Sequence, residues 1–238
     1  MSGFQNPVIP GFFPDPSVCR AGDEYFLVTS SFTYFPGVPV FRSADLVGWV
    51  QAGNVLDRPS QLDLSATTGY ASHGVYAPTI RYHDGRFWVI TTNFTAGGSR
   101  NFFVTADDPA GSWSDPTLID VKGVDPDLAW DDDGNCWVSF SDGGGIVRCR
   151  IDDRTGTVLE PPKPTWSGTG LQYPEAPHLY RRGDTWYLLI AEGGTERGHT
   201  VAIARGPSPA GPWEGCPSNP ILTHRSTGHR EVADGRPG

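Results

Sequence analysis

Carboxylates stand beside proline residues at recurring places in the chain. Asp15 and Asp125 directly precede a proline, and Glu175 stands two residues before one. Two carboxyl groups flanking an acetal carbon can hydrolyse a glycoside: one protonates the leaving oxygen, and the other activates water or attacks directly. A third carboxylate can help to keep the proton on the acid. Because Asp-Pro also starts turns, this interpretation depends on whether the fold brings the segments together.

The segments follow an internal repeat. An aromatic and β-branched run follows a turn four times: GDEYFLVTSS (22–31), DGRFWVITTN (84–93), DGNCWVSFSD (133–142) and GDTWYLLIAE (183–192). The first residues after these turns are separated by 62, 49 and 50 positions. A proline precedes each run at a nearly constant distance, at Pro16, Pro78, Pro126 and Pro177. A fifth copy begins in ADGR (233–236).

A repeat of about 50 residues that contains four short strands predicts an all-β fold and is typical of a β-propeller blade. We therefore predict a five-bladed propeller of which about four blades are encoded. The predicted blades cover residues 10–70, 71–120, 121–170 and 171–222, and residues 223–238 begin a fifth. A β-sandwich is the alternative, but it does not explain why the prolines and the turns recur at nearly the same spacing in each repeat. Since the first strand of each blade lines the axis, the propeller would bring Asp15, Asp125 and Glu175 together.

Composition and charge exclude several classes of partner. The 238 residues carry a formal charge of −9, without the basic surface that binding to nucleic acid or to an anionic membrane requires. The apolar runs are shorter than the ~20 residues of a membrane span. The first residues, MSGFQNPVIPGFF, show no signal peptide, which favours a cytoplasmic location.

Aromatic residues could provide apolar surfaces for a sugar. The segment SFTYFPGVP (31–39) brings Phe32, Tyr34 and Phe35 into the loop after the second strand of the first blade; core packing is the alternative role for each. The acidic run DLAWDDDG (127–134) lacks the spacing of a calcium-binding EF-hand loop and is interpreted as a hairpin tip. His73 and His178 are interpreted as structural, hydrogen-bonded groups.

Several motifs together resemble glycoside hydrolase family 43, particularly its β-xylosidases and α-L-arabinofuranosidases. They run from about Asn6 to about His229 and comprise FPDPSVCRAGDEYFLVTSSFTYFPGVPVFRSADLVGW, HGVYAPTIRY, VDPDLAWDDDG, YPEAPHLY with AEGGT, and SPAGPWEGCPSNPILTHR. The resemblance implies a five-bladed propeller, an oligosaccharide substrate and hydrolysis with inversion, releasing xylose or arabinose from a non-reducing end.

The resemblance also assigns roles to individual residues. Asp15 matches the general base, Glu175 the general acid, and Asp125 the carboxylate that tunes and orients the acid. Phe32 and Tyr76 match walls of the sugar subsite, although the family more often has tryptophan at the place of Tyr76. No cofactor is required, but members of the family often hold a cation, such as calcium, in the central channel beside a histidine, for which His229 is the match.

The pattern departs from the family at its end, where EVADGRPG (231–238) replaces a complete fifth blade and, in many members, a β-sandwich domain. Four blades of a five-bladed ring would expose sheet faces and an edge, so we expect a homo-oligomer that covers them, or low stability with weak activity. Three functions remain open: an exo-acting β-xylosidase or arabinofuranosidase, an endo-acting arabinanase or xylanase, and a carbohydrate-binding remnant with weak or no catalysis.

Overall fold

The structure is a computed structural model that describes residues 4–67, 71–195 and 198–225. Within these ranges all regular structure is β-strand, apart from one 3-10 turn at Ser65–Thr67. The strands coincide with the aromatic and β-branched runs, and glycine, aspartate and proline occupy the turns between them. The prediction of an all-β fold is confirmed.

The first and third sheets are antiparallel meanders whose strands lie in chain order. The first sheet contains β1 (Ser17–Ala21), β2 (Glu24–Val28), β3 (Gly37–Ser43) and β4 (Val50–Leu56). The third sheet contains β10 (Val124–Trp130), β11 (Cys136–Ser141), β12 (Ile146–Ile151) and β13 (Val158–Trp166).

The second and fourth sheets have the same plan with one additional short strand each. The second contains β5 (Gly74–Val75), β6 (Thr79–His83), β7 (Arg86–Thr95), β8 (Gly98–Ala106) and β9 (Thr117–Ile119). The fourth contains β14 (Glu175–Arg182), β15 (Thr185–Glu192), β16 (Thr200–Gly206), β17 (Glu214–Gly215) and β18 (Leu222–Thr223). Both β5 and β6 pair with β7, so the first strand of the second sheet is interrupted.

The four sheets pack face to face in succession. Three hydrophobic clusters join the first sheet to the second, the second to the third and the third to the fourth. The first strands also contact one another in series, because β6 touches both β1 and β10, and β10 touches β14. This is a four-bladed propeller arrangement in which the first strands lie innermost. The predicted propeller is confirmed, and the sandwich alternative is wrong.

The repeated turn connects the innermost strand of each sheet to the second strand. In the second sheet Asp84 and Gly85 form this turn with φ values of +49° and +75°, and His83 pairs directly with Arg86. Two consecutive positive φ values are the geometry of a tight type I′ hairpin, whose twist matches that of the strands it joins. Two-residue turns also join the first two strands of the first and fourth sheets, whereas residues 131–135 form a five-residue turn in the third sheet.

The predicted start of a fifth blade lies almost entirely outside the described residues, as does His229. Among the residues that the structure describes, the first and fourth sheets show no packing comparable to that between successive sheets. In the described part of the chain no helix is both long enough and apolar enough to span a membrane.

Candidate active site

The three carboxylates that the sequence singles out occupy equivalent places in three sheets. Asp15 stands two residues before β1, Asp125 is the second residue of β10, and Glu175 is the first residue of β14. Because these strands are the innermost of their sheets, all three residues lie at the same end of the molecular axis. We refer to Asp15, Asp125 and Glu175 as the acid trio.

The backbone is irregular wherever a member of the acid trio is placed. Asp15 and Asp125 both have a φ of +56°, and Ala176, which follows Glu175, has a φ of +47°. L-residues rarely adopt such values, and strained residues of this kind cluster at functional sites. The β-ladder register also breaks after Val124 and after Glu175. The proline after each carboxylate contributes to these breaks, since it has no N–H to donate to the ladder.

Hydrogen bonds orient two members of the acid trio. The buried Ser30 hydroxyl donates a short bond to Oδ2 of Asp15, while the Ser30 N–H donates to the carbonyl of Pro14 at 3.0 Å. The Ala176 N–H donates to the carboxylate of Asp125. Asp125 therefore contacts the strand that begins with Glu175.

The electrostatics place the three carboxyl groups close to one another. Burial raises the pKa of Asp125 well above its ordinary value, and the neighbouring Glu175 and Asp15 raise it further. Burial also raises the pKa of Glu175; His199 partly offsets this rise, and Asp15 adds to it. Interacting carboxyl groups of this kind titrate together. The arrangement can therefore hold a proton and a carboxylate side by side, as acid–base catalysis requires.

Asp127 does not belong to the acid trio, although its sequence position beside Pro126 matches that of Asp125. Its carboxylate is completely buried, binds Arg81 of β6 at 2.5 Å and accepts the Leu179 N–H of β14 at 2.6 Å. Arg81 also donates to the carbonyl of Leu128 at 3.0 Å. Asp127 and Arg81 thus join the second, third and fourth sheets. The sequence contains no local signal that pairs these two residues.

Aromatic side chains line the loops above the first two sheets. Phe32 and Tyr76 contact edge to face at 5.8 Å between ring centroids, and we refer to this pair as the aromatic wall. Phe12 stacks on Phe32 at 6.0 Å, and Phe94 stacks on Tyr76 at 5.0 Å. Phe35 lies in the same loop as Phe32, with 47% of its surface exposed. Sequence reasoning did not include Phe12 or Phe94, which the repeat does not distinguish from core residues.

A glycine allows the loop of the first sheet to approach the second sheet closely. Phe32, with a φ of +46°, exchanges backbone hydrogen bonds with Val75 of β5 at 2.8 and 3.0 Å. Gly74 has a φ of +100°, and a Cβ there would lie 2.1 Å from the Phe32 carbonyl oxygen. Only glycine fits this position without displacement. Gly74 therefore fixes the spacing of the aromatic wall.

The segment that leads into Glu175 is held from two sides. Ser141 of β11 donates to the carbonyl of Pro174 at 2.8 Å, and the Gly193 N–H donates to the carbonyl of Gln172 at 2.7 Å. The fully buried carboxylate of Glu192 accepts the Thr169 N–H at 3.0 Å. These supports come from the motif AEGGT and from the second strand of the third sheet, and no local pattern in the sequence indicates them.

The described residues do not form a metal centre. Asp131 accepts hydrogen bonds from Asn135 and Trp137 within the turn between β10 and β11, so the acidic run is a hairpin tip. No group of three His, Cys, Asp or Glu residues in the described ranges could hold a metal ion. His229, the residue matched to the central-channel cation, lies outside them. The described ranges therefore contain no set of donors for the cation implied by the family.

The two histidines that were interpreted as structural both contact aromatic rings, His178 that of Tyr180 and His73 that of Phe94. Burial, together with the positive charge of Arg81, lowers the pKa of His178 to about 3, so His178 is neutral over the physiological range. The His73 ring contacts Phe94 edge to face at 5.5 Å. His199, which the sequence analysis did not consider, is the histidine that acts on Glu175.

The surface also contains clefts that do not involve the acid trio. One, of about 630 Å³, lies between the second and third sheets, where Arg100 and Lys122 face the turn at residues 155–157. Another, of about 330 Å³, lies beside the loop that contains Asp63. Neither cleft is lined by a pair of interacting carboxylates.

Comparison with known proteins gives a consistent result. The model of the family described as "Glycosyl hydrolases family 43" matches residues 4–236. A Butyrivibrio fibrisolvens protein named "Xylosidase/arabinosidase" is 45% identical over 94% of this chain and 45% of its own length. A Bacteroides ovatus protein named "Non-reducing end alpha-L-arabinofuranosidase BoGH43B" is 46% identical over 93% of this chain and 42% of its own length.

A solved structure shows the same fold. The structure titled "Crystal structure of xylan beta-1,4-xylosidase from Bacillus Halodurans C-125" is 39% identical and superposes with a TM-score of 0.89. It is matched over 94% of this chain and 45% of its own chain. The chain thus spans less than half the length of these relatives.

Proposed function

The chain belongs to glycosyl hydrolases family 43, and from that premise we propose that it hydrolyses glycosidic bonds of xylose or arabinose at the non-reducing end of oligosaccharides. The acid trio supports this proposal most directly, because three carboxyl groups from three sheets perturb one another's ionisation at one end of the axis. Chains that keep such strained and perturbed groups generally use them.

In the proposed reaction Glu175 is the general acid and Asp15 is the general base. The Glu175 carboxyl gives its proton to the glycosidic oxygen as the bond from that oxygen to the anomeric carbon breaks. Asp15 accepts a proton from a water molecule, whose oxygen forms the new bond to the anomeric carbon from the opposite face. The products are a free sugar with inverted configuration and the shortened oligosaccharide, and one water molecule is consumed.

Asp125 orients and tunes the acid in this proposal. Its carboxyl lies beside Glu175 and accepts the N–H of Ala176, the residue directly after Glu175. Burial and the negative charge of the neighbouring Asp15 raise the pKa of Glu175 and make the loss of its proton less favourable. The raised pKa of Glu175 favours its protonated form, which is the form that a general acid requires.

The preference for a pentose at a chain end is supported by the aromatic wall and by the relatives. Phe32 and Tyr76 provide apolar ring surface on which the C–H face of a sugar can rest. Phe35, in the loop that carries Phe32, adds a partly exposed ring. The names of the B. fibrisolvens and B. ovatus relatives include xylosidase, arabinosidase and arabinofuranosidase activities.

Hydrolysis of synthetic glycosides tests the proposal. We expect release of nitrophenol from nitrophenyl β-xyloside or nitrophenyl α-L-arabinofuranoside, with kcat/KM reduced roughly 10²–10⁴-fold by Glu175→Gln or Asp15→Asn. The Glu175→Gln defect should be smaller for a dinitrophenyl leaving group, which departs without a proton. Glu214→Gln, on the exposed Arg205 pair, is the matched control and should retain full activity. Sugar binding without turnover by the unaltered protein would contradict the proposal.

A further inference from the structure

Tyr173 is an exposed aromatic residue two positions before Glu175. It keeps 59% of its surface exposed, although the burial of an aromatic ring is a large source of stability. Pro174, which separates the two residues, is buried, whereas Glu175 is half-buried. Tyr173 and Glu175 therefore both face the open side of this segment.

The backbone at Tyr173 is strained. Its φ of +54° lies in the left-handed region that bulky L-residues rarely adopt. Glycine would adopt this conformation without strain, so the chain places a large aromatic side chain where its backbone is unfavourable. Strain of this kind is concentrated at active sites and at segments that hold a ligand.

A glycine turn and two hydrogen bonds hold the Tyr173 ring in place. A Cβ added to Gly194 would lie 3.6 Å from Cδ2 of Tyr173 and 3.2 Å from Nε2 of Gln172, so both side chains lie over this glycine. The Gly193 N–H donates to the carbonyl of Gln172 at 2.7 Å, and the Ser141 hydroxyl donates to the carbonyl of Pro174 at 2.8 Å. A ring supported in this way loses little conformational entropy when a ligand binds to its exposed side.

The role proposed for Glu175 determines which part of a substrate would meet Tyr173. A general acid protonates the oxygen between the anomeric carbon and the leaving group, while the base directs water to the opposite face of the sugar. Residues beside the acid therefore border the leaving group. The aromatic wall, by contrast, belongs to the first and second sheets, and the first sheet carries the proposed base, Asp15.

We propose that Tyr173 is a specificity-determining residue that contacts the leaving group, and that the leaving group it fits is a second sugar ring. The inference rests on the proposed function, in which Glu175 is the general acid. The exposed side of the Tyr173 ring offers apolar surface to the C–H face of that sugar, and the amide of Gln172 can exchange hydrogen bonds with its hydroxyl groups. The aromatic wall then contacts the pentose that is released, and Tyr173 contacts the remainder of the oligosaccharide.

Two substrates with the same terminal pentose separate this role from a structural one. In the disaccharide the leaving group is a sugar ring, whereas in the methyl pentoside it is methanol. Both leaving groups depart as alcohols and need the Glu175 proton, so a displaced acid would affect both substrates. We expect Tyr173→Ala to lower kcat/KM about 10-fold for the disaccharide, chiefly through KM, and less than about 2-fold for the methyl pentoside.

Three further variants complete this experiment. Tyr173→Phe keeps the ring and should retain the activity on the disaccharide. Tyr173→Asn removes the ring but tolerates a positive φ, so it replaces Tyr173→Ala, with the same expectation, if that variant does not fold. Tyr82→Ala removes a partly exposed ring near the opposite end of the innermost strand of the second sheet; it is the control and should leave both activities unchanged.

Binding to inactivated protein gives a second readout that does not depend on turnover. In the Glu175→Gln variant, calorimetry compares the affinity for the free pentose with that for the disaccharide. We expect the disaccharide to bind about 10-fold more tightly, and we expect the added Tyr173→Ala substitution to abolish this difference. The affinity for the free pentose should stay the same, which also shows that the altered site is folded.

The possible failures are distinguishable. Equal losses for the disaccharide and the methyl pentoside in Tyr173→Ala would mean that Tyr173 only supports Glu175, and would overturn the inference. Unchanged kinetics and binding of the disaccharide in that variant, or a loss in Tyr173→Phe as large as in Tyr173→Ala, would overturn it as well. If the unaltered protein hydrolyses neither substrate, the proposed function itself is wrong, and the inference fails with it.

Discussion

At the residue scale, Asp125 illustrates the free-energy cost of the acid trio. Burial, together with Glu175 and Asp15, raises its pKa, so the native state keeps a proton that the unfolded chain has already released. By linkage, the free energy of unfolding falls as the pH rises from the ordinary aspartate pKa of 3.8 through the raised folded value. Above the raised pKa of Asp125, the free energy of unfolding is lowered by the full cost of ionising this buried carboxyl group.

We therefore predict that Asp125→Asn abolishes efficient hydrolysis and yet stabilises the fold at pH 7 by about 1 kcal/mol or more. Asparagine cannot ionise, and its carbonyl can still accept the Ala176 N–H. The gain should shrink as the pH approaches 4, where the native carboxyl is already neutral. Chemical denaturation at both pH values measures the difference.

Asp131→Asn is the control with the opposite sign. Although burial acts to raise the pKa of Asp131, hydrogen bonds from Trp137 and Asn135 outweigh it and lower the pKa, so this carboxylate stabilises the fold above the ordinary aspartate pKa. Its replacement should destabilise the protein at pH 7. If Asp125→Asn also destabilises the protein at pH 7, the assigned burial cost is wrong.

The hydroxyl of Ser30 should contribute to catalysis through Asp15. It donates a short hydrogen bond to Oδ2 of that carboxylate, and loss of such a bond is worth about 1 kcal/mol. We expect Ser30→Ala to reduce kcat/KM roughly 5-fold while KM changes little, as steady-state kinetics would show. Ser60→Ala, which removes an exposed hydroxyl near Asp115, should have no effect. Equal kinetics for Ser30→Ala and the unaltered protein would refute the orienting role.

At the element scale, the fold depends on a buried ion pair between innermost strands. Asp127 of β10 is fully buried with Arg81 of β6 and also accepts the Leu179 N–H of β14. Burial raises the pKa of Asp127, and the positive charge of Arg81 only partly offsets this rise. For Arg81, burial acts to lower the pKa, but Asp127 and Tyr180 outweigh burial and raise it. The pair as a whole thus gains little stability, but either charge alone would be strongly unfavourable.

Asp127→Asn should destabilise the protein by about 3 kcal/mol, because it leaves the Arg81 charge buried without its partner. Equilibrium unfolding in denaturant measures this loss. Asp107→Asn breaks the exposed pair of Arg86 and Asp107 and should change stability very little. Similar losses in the two variants would mean that the buried pair does not join the sheets as described.

The elements differ in how far the sequence predicts them. The aromatic runs become β2, β7, β11 and β15, because their residues suit strands and turn residues precede them. The sequence does not show where the β-ladders break, at Asp125 and Glu175, or where the innermost strand of the second sheet is interrupted, at Tyr76. It also does not show the ion pair between Asp127 and Arg81. These features depend on contacts between residues about 50 positions apart, which a local pattern does not encode.

At the scale of the whole molecule, one side of the fourth sheet has no packing partner among the described residues. Trp186, Leu188 and Ile190 of β15 face the third sheet and are buried. The alternate residues Tyr187 and Leu189 are half-buried, as are Val201 and Ile203 of β16. An apolar sheet face of this kind favours association.

We expect this chain on its own to self-associate through that face at micromolar concentration. Sedimentation velocity across a dilution series should show the association, and Leu189→Glu should weaken it. Leu118→Glu, at an exposed position on β9, is the matched control. A monomer with a high melting temperature at all concentrations would contradict the expectation.

We propose that remote segments of the chain meet to form an inverting glycosidase site. Proton NMR during the first minutes of xylobiose or aryl β-xyloside hydrolysis tests it most directly, because it reports substrate, turnover and stereochemistry together. We expect α-xylose to appear first and then to equilibrate with the β-anomer, and we expect Glu175→Gln and Asp15→Asn to suppress its formation. Initial release of β-xylose, or turnover that persists unchanged without both carboxylates, would contradict the account.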